Sequence, residues 1–308
     1  MLYEKLNYVM TIAEERNLTR AAKKLFISQP ALTLYLNRLE EELGVKLFDR
    51  TKTPLEITPA GAYYIEQMEP IYLAEHRLRN NIKTLAEPAG TLTIGIGQVR
   101  GFSWLPVILP EFCEKHPDIN VEVKQIQEKK MIPMLKTDDM DAAFGVFPAP
   151  SGNLVSIELF QEKLLLAAHK SFHLIPEEER DQYSAESPYL LEVEKLNGLP
   201  LICPSFENGL YLSYENIMDK NKIVPGRIIS ISNMLTGYQL ARLALGVQLL
   251  SAFVTTMIED SDVPDSDMDF CLIPNMPALR TCTATYMKGN IKEDQIKELI
   301  EIIREKVL

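Results

Sequence analysis

Residues 28–38, SQPALTLYLNR, carry the densest set of side chains able to read another polar surface. Leu32, Leu36, Leu39 and Leu43 step by four, three and four, so on a helix they form one apolar stripe that must face other elements. Pro30, Thr33, Leu34 and Asn37 then point away, with Gln29 in the exposed first turn. Gln29, Thr33 and their neighbours are thereby held outward, where they can touch base edges in the groove. Leu34 either touches a thymine methyl or touches nothing, since single exposed apolar residues are normal. Tyr35 beside it can donate to a phosphate. Arg50 and Lys52 stand further on in a turn, where cations meet phosphates, fix position and supply salt-dependent affinity without reading sequence.

The elements that hold these residues follow from local pattern. Leu6, Val9, Met10 and Ile12/Ala13 recur at helical spacing and predict an amphipathic first helix, which Asn17 interrupts. Thr19 can cap a second helix, RAAKKLF, that begins at Arg20 and packs through Ala21, Ala22, Leu25 and Phe26. Ser28 can cap the third helix, and Pro30 stands in its first turn, where a missing N–H costs nothing. Gly44 ends it as a left-handed cap would, and VKLFDRTKTPLEIT reads as two short strands around a turn holding Arg50, Lys52 and Pro54. A short helix, a turn, a second helix with a free face and a hairpin make a winged helix-turn-helix.

The run AAKKLFISQPALTLYLNRLEEELGVKLFDR, followed by LEITPAGAYYI, resembles the N-terminal signature of LysR-type transcriptional regulators over about 60 continuous residues. The resemblance implies that Gln29, Pro30, Thr33 and Arg38 lie on or beside the recognition helix and Arg50 on the wing. The candidate DNA-binding set is therefore Thr19, Arg20, Ser28, Gln29, Pro30, Thr33, Leu34, Asn37, Arg38, Arg50 and Lys52. One departure stands out: where the family often has a basic or polar residue after position 33, this chain has Leu34 and then Tyr35, so the face is less cationic.

Thr58 and Pro59 give an N-cap and first helical residue, and a helix of about 27 residues is predicted to run to Pro88. Tyr64, Met68, Ile71, Glu75, Leu78, Ile82 and Leu85 step by alternating fours and threes, the register of a coiled coil interrupted once by Glu75. The stripe suits a homodimer that holds two reading helices a half-site apart, or else packing on the chain's own body. AEPAGT, with Pro88 and Gly90, is the hinge.

Beyond it, strand and helix alternate: TLTIGIG, a helix over SWLPVILPEFCEKHP, INVEVKQI, the helical MIPMLKTDD, then MDAAFGVF. A second set follows: LLLAAH, a helix near LLEVEKLN, LPLIC, a helix near YLSYENIMDK, GRIISI, and MLTGYQLARLALG leading into VQLLSA. FCLIPN and TCTATYMK return as strands before a capped helix from Lys292 to Val307. Alternation predicts parallel βαβ units. Two α/β halves joined by crossing strands resemble a periplasmic-binding-protein fold, the sensor module of LysR-type regulators. DDMDAAFGV and LARLALGVQLLS resemble stretches recurrent in that family, with Ser251 where proline is usual, while residues 174–198 form a longer acidic insertion. The expected fold class is thus multidomain α + α/β: a winged helix-turn-helix over 1–58, a linker dimerisation helix and hinge over 59–90, and a two-lobed α/β effector-binding domain over 91–308. Lobe I is expected at about 91–161 and 269–308, and lobe II at about 162–268.

In open α/β sheets ligands bind at the carboxyl ends of strands, in the crevice between halves. This selects Gln98, Arg100, Phe102 and Ser103 after the first strand, Gln127 after the second, Phe147 after the third, Ser205, Phe206 and Asn208 after LPLIC, and Ser232 and Asn233 after GRIISI. Arg100 could clamp a carboxylate through two hydrogen bonds, which points to a small organic anion, or else it is a surface side chain.

Composition narrows the alternatives. Apolar residues at 46% and charged residues at 24% fit a globular chain. The net charge of −11 is unevenly placed: residues 1–65 hold nine Lys/Arg against eight Asp/Glu, so the acidic excess lies wholly behind the reading head. MLYEKLNYVM lacks a signal-peptide pattern, and no apolar stretch approaches a membrane span, which predicts a cytoplasmic protein without a membrane partner. Cys113, Cys203, Cys271 and Cys282 lack CxxC spacing and are expected as reduced, mostly buried thiols. GIGQVRG misses the G-x-G-x-x-G spacing by one, HKSFH with His169 and His173 lacks the glutamate and third ligand of a zinc site, and no nucleophile or P-loop motif appears. No metal, cofactor or enzymatic step is expected. An α/β small-molecule-binding protein or enzyme without DNA readout is the alternative. The partners implied by the resemblance are double-stranded DNA at a promoter operator, a small-molecule effector, a second copy giving a homodimer and then a homotetramer, and RNA polymerase.

Overall fold

The computed structural model of the chain describes residues 2–86, 90–204, 211–257, 267–274 and 279–307. The chain divides into two units, Met1–Pro88 and Ala89–Leu308. The first holds α1 (Leu2–Glu15), α2 (Leu18–Lys24), α3 (Gln29–Leu43), the two-stranded β1 (Phe48–Asp49) and β2 (Glu56–Ile57), and α4 (Pro59–Ala86). Val9 and Ile12 of α1, Ala21 and Ala22 of α2, and Leu32 and Leu36 of α3 are buried together with Leu47, Phe48 and Leu55 of the wing. The helices are thus held by their apolar faces rather than by propensity.

Three expectations are corrected here. Asn17, not Thr19, caps α2: its side chain accepts from the backbone N–H groups of Thr19 and Arg20. Phe26 is not part of the packing face, because α2 ends at Lys24 and Phe26 sits in the following turn at φ 56° with 95% of its surface exposed. The leucine stripe ends early, since Leu43 is 42% exposed and the position four residues after Leu36 is filled by a buried carboxylate, Glu40. Gly44 takes the left-handed conformation at φ 70°.

In α4, Thr58 Oγ1 accepts the Gly61 N–H at 3.0 Å and donates to the Lys46 carbonyl at 2.7 Å. A Cβ at Gly61 would lie 2.0 Å from the Leu47 carbonyl oxygen, so only glycine lets α4 start against the wing. The helix runs 28 residues and continues through Pro70, a residue that the expectation of an unbroken run to Pro88 overlooked. Ile71, Leu78 and Ile82 of its stripe are exposed, and Glu75 pairs with Arg79.

The second unit is built on a sheet in the order β4-β3-β5-β12-β6-β10-β8-β9. β3 (Thr91–Ile96), β4 (Asn120–Gln125) and β5 (Ala142–Gly145) are mutually parallel, and so are β8 (Pro200–Pro204), β9 (Arg227–Ile231) and β10 (Val247–Ser251). The expected parallel units are therefore present, but β6 (Leu154–His169) and β12 (Leu279–Met287) run antiparallel to their neighbours. β6 is one 16-residue strand that crosses from one lobe into the other, where the sequence suggested only LLLAAH. Along it Leu164, Leu166 and Ala168 enter one core with Leu201 and Val247, and Leu165 and Ala167 enter the opposite one with Ile202 and Tyr238. In lobe I, α5 (Gln98–Lys115) and α9 (Glu293–Lys306) cover the sheet through Trp104, Ile108, Phe112, Ile296, Leu299 and Ile300. α6 (Glu128–Lys136) packs Met131 and Leu135 on the same lobe.

β11 (Met268–Leu272) pairs with the second half of β6 and with β7 (Tyr189–Leu190), so it belongs to lobe II and the return to lobe I falls after Leu272 rather than near 269. α7 (Tyr211–Asn221) and α8 (Met234–Arg242) complete lobe II. The helix expected near LLEVEKLN is a single 3-10 turn, Val193–Leu196. The acidic insertion is tied down by burial of Leu174, Ile175, Leu191 and Val193 and by Arg180 Nε on Asp269 at 2.8 Å. α9 has no side-chain cap. Three cysteines are buried thiols and Cys113 is exposed.

The stripe makes a contrast that can be measured. Leu36→Ala should cost about 2–5 kcal/mol of the first unit's stability, since it opens a cavity in a closed core, whereas Leu43→Ala should cost less than about 1 kcal/mol. Urea unfolding followed by helical circular dichroism reads both; equal losses would contradict the packing described.

Candidate functional site

The face of α3 that the core leaves free begins at Ser28, whose Oγ accepts the Ala31 N–H at 3.3 Å, with Pro30 in the first turn. Gln29 Nε2 donates to Thr33 Oγ1 at 3.0 Å, so the two candidate base-reading groups are ordered against each other one turn apart. Gln29, Pro30, Leu34 and Arg38 are exposed, and Thr33 and Asn37 are half-buried. Thr19 and Arg20 are exposed at the start of α2, and Arg20 Nη2 donates to the Glu15 carbonyl at 2.6 Å. Tyr35 does not lie on the free face: it stacks edge-on against Tyr8 at 5.2 Å between ring centroids, and burial pushes its phenol well above the ordinary range.

The wing is fixed by a residue the sequence reading passed over. Glu40 has a fully buried carboxylate: Oε1 accepts the backbone N–H groups of Leu47 at 2.9 Å and Phe48 at 3.3 Å, and Oε2 accepts Lys46 Nζ at 3.0 Å and Arg50 Nη2 at 2.9 Å. Arg50 is therefore not a free phosphate hook but a latched one, its side chain 30% exposed; Lys52 is exposed. Glu40 falls four residues after Leu36, on the buried side of α3, and a charge on that side is the one signal that could have found it.

In the body a cleft of about 430 Å³ opens between the lobes, lined by Gln98, Arg100, Gln127, Ser232 and Asn233 of the expected set. Phe102 and Ser103 are corrected: α5 has already begun at Gln98, and its next turn carries them into a separate open concavity with Leu105, Leu109 and Cys113. Phe147 packs against the Met131 and Leu135 cluster instead. Ser205, Phe206 and Asn208 lie outside the described residues. Arg100 is neither a surface side chain nor an unoccupied clamp. It is 7% exposed, pairs with Glu128 at 2.9 Å and with Glu162, and its guanidinium carbon lies 5.8 Å from the centre of the Phe253 ring.

Glu162, on β6, also receives Arg280 of β12 and the Ser251 hydroxyl at 3.1 Å. Burial pushes its carboxyl up, but Arg100 and Arg280 beside it outweigh burial and hold it below its ordinary value of 4.5. The sequence reading missed Glu128, next to the expected Gln127, and Phe253, just beyond β10, and it missed Arg280 because that residue arrives on a crossing strand far along the chain. Gly97 and Gln127 open α5 and α6 without side-chain caps, while Asn233 caps α8 by accepting the Thr236 N–H at 3.0 Å. Three helix N-termini therefore border one cleft, a setting that favours negative charge.

The chain thus carries a winged helix-turn-helix with a free face on α3, a long helix, and a two-lobed α/β body with a charged cleft. Residues 3–62 match the bacterial regulatory helix-turn-helix protein, lysR family, and residues 85–307 the LysR substrate binding domain; the chain belongs to the LysR family. It is similar to the uncharacterised HTH-type transcriptional regulator YkuM of Bacillus subtilis, 34% identical over 141 residues, which are 46% of this chain and 48% of that one. It is 30% identical over 169 residues to the HTH-type transcriptional regulator BenM of Acinetobacter baylyi, covering 55% and 56% of the two chains, so each match spans about half of the relative's length. The crystal structure of full-length BenM shares the fold with a TM-score of 0.55 at 23% identity, over 99% of this chain and 96% of that one.

Two outcomes test this geometry. Glu40→Ala leaves the buried Leu47 and Phe48 N–H groups without an acceptor and should cost about 1–3 kcal/mol in urea unfolding; Arg50→Ala, which removes one of four donors, should cost less. For Glu162, the lowered folded-state value means that its stabilisation is complete above about pH 4.5 and is lost as pH falls through that lower value. The stability gap between wild type and Glu162→Gln should therefore shrink on acidification from neutral pH, and a gap independent of pH would contradict the assignment.

Proposed function

We propose that this protein is a ligand-gated, sequence-specific DNA-binding transcription regulator that works in the cytoplasm as a homodimer through α4, assembling further to a homotetramer. The observation that carries the reading is the free face of α3, where Gln29 is ordered on Thr33 beside a wing latched by Glu40. Gln29, Thr33, Leu34 and Asn37 take the role of base-edge readers. Thr19, Arg20, Ser28, Arg38, Arg50 and Lys52 hold the backbone, and Pro30 starts the helix with its fixed φ. Ile71, Leu78 and Ile82 form the dimer seam, which burial of their exposed surface favours.

The cleft takes a small organic anion as effector, with Gln98, Arg100, Gln127, Ser232 and Asn233 around it. Effector binding changes the closure of the lobes, which shifts the packing of the assembly and the spacing of its reading helices; this requires different affinities for the two states. RNA polymerase is the downstream contact on a promoter.

Enriching a random duplex pool on the full-length protein should yield a two-fold-related consensus. Gln29→Ala should relax that consensus at one position per half-site, whereas Lys52→Ala should weaken all duplexes alike and lower the slope of affinity against salt by about one counterion. A pool that stays random after enrichment would reject DNA readout. Leu78→Glu with Ile82→Glu should shift the protein toward monomer in sedimentation velocity, and an unchanged mass would reject the α4 seam.

A further inference from the structure

The exposed stripe of α4 is interrupted by a charge, and the interruption has an order. Ile71, Glu75, Leu78 and Ile82 step by four, three and four residues, a spacing that reads the same from either end of the helix. Ile71, Leu78 and Ile82 are exposed, and Glu75 stands among them, paired with Arg79 one turn further on. Arg79 is exposed too, and it follows Leu78 directly, on the flank of the stripe that also carries Tyr72.

Two ways of laying a second copy on this stripe differ at Glu75. In a parallel, in-register seam identical residues share each layer, so two carboxylates meet between apolar neighbours and repel. Turned end to end, the same spacing sets Ile71 against the partner's Ile82 and Glu75 against the partner's Leu78. Each glutamate then has an arginine of its own helix and the partner's Arg79 beside it. The two glutamates and two arginines balance in charge, and the apolar layers on both sides are kept.

We propose that Glu75 and Arg79 are the partner-selecting residues of the α4 seam: crossed pairs between Glu75 of one copy and Arg79 of the other set the register and admit a second copy of this chain in preference to helices that carry a similar stripe with other charges. The proposal rests on the homodimer through α4. An apolar stripe alone discriminates poorly, since isoleucine and leucine accept any apolar surface of similar shape. A charged residue inside the seam weakens association but penalises every partner and register that leaves it unmet, which is how polar positions in coiled coils specify pairing.

The test uses the full-length chain and its Glu75→Arg, Arg79→Glu and Leu78→Glu variants, each checked by native circular dichroism. In sedimentation velocity over a dilution series, Glu75→Arg and Arg79→Glu should each weaken self-association by about tenfold or more, because two attractions become two repulsions. Glu75→Gln, which keeps the shape and loses the charge, should fall between them and wild type. Co-expressed under two affinity tags and captured in sequence, Glu75→Arg and Arg79→Glu should form a heterodimer in preference to either homodimer. Neither of those chains holds a pair of its own, so only crossed pairs account for that preference. Glu75→Arg co-expressed with wild type should pair less well, whereas a parallel seam would favour that mixture. Random mixing of the two variants, or a preference for the wild-type mixture, would overturn the crossed pairs. If Leu78→Glu is monomeric in that case, the α4 seam stands without them; a dimeric mass for every variant at every dilution, Leu78→Glu included, would overturn the seam itself.

Discussion

A carboxylate taken wholly out of water is unfavourable unless hydrogen bonds and counter-charges replace its hydration, and Glu40 has both. Its two oxygens gather two backbone amides and two cations from the chain that follows α3. The wing is only two residues per strand, far too short to hold its own place by pairing. Glu40 is what makes the wing an extension of the reading helix. With Leu32 and Leu36 anchoring the other side of α3, the free face carrying Gln29 and Thr33 has one orientation relative to Arg50 and Lys52. A groove-reading surface needs that rigidity, because base-edge contacts depend on position to a fraction of a hydrogen-bond length.

The body uses the same device at its centre. Glu162 on the crossing strand is the meeting point of Arg100 from α5, Arg280 from β12 and Ser251 from β10, so side chains of both lobes converge on one carboxylate. Such a cluster contributes less to net stability than its number of contacts suggests, since desolvation offsets much of the attraction. What it supplies is a defined arrangement at the hinge, one that a ligand of matching charge can bias.

Much of the head was legible because its determinants are local. Ser28, Pro30 and Gly44 mark the ends of α3 by rules that involve a few neighbouring residues, and the leucine spacing gave its buried side. Asn17 and Phe26 were misplaced because the helix between them, Leu18–Lys24, lies two residues earlier than RAAKKLF suggested, and the chain leaves it through a left-handed residue that no periodicity reveals. In the body, alternation located most strands and helices, but the antiparallel crossings of β6 and β12 are set by long-range pairing. For that reason the cleft was only partly anticipated. Gln98, Gln127 and Asn233 follow directly from strand ends, whereas Arg280 reaches the cleft from a strand 118 residues beyond its partner Glu162. Phe102 and Ser103 were displaced by the early start of α5, which turns them onto another face.

The central claim is that a latched wing and a free helix face together recognise double-stranded DNA. The most direct measurement is the affinity of the intact protein for its preferred duplex and for a base-scrambled duplex across a range of ionic strength, in wild type and in Glu40→Gln. The account predicts that affinity for both duplexes falls steeply with salt, that the ratio between them persists in wild type, and that Glu40→Gln reduces that ratio. A ratio of one at every salt concentration, or a ratio untouched by loss of the Glu40 charge, would contradict it.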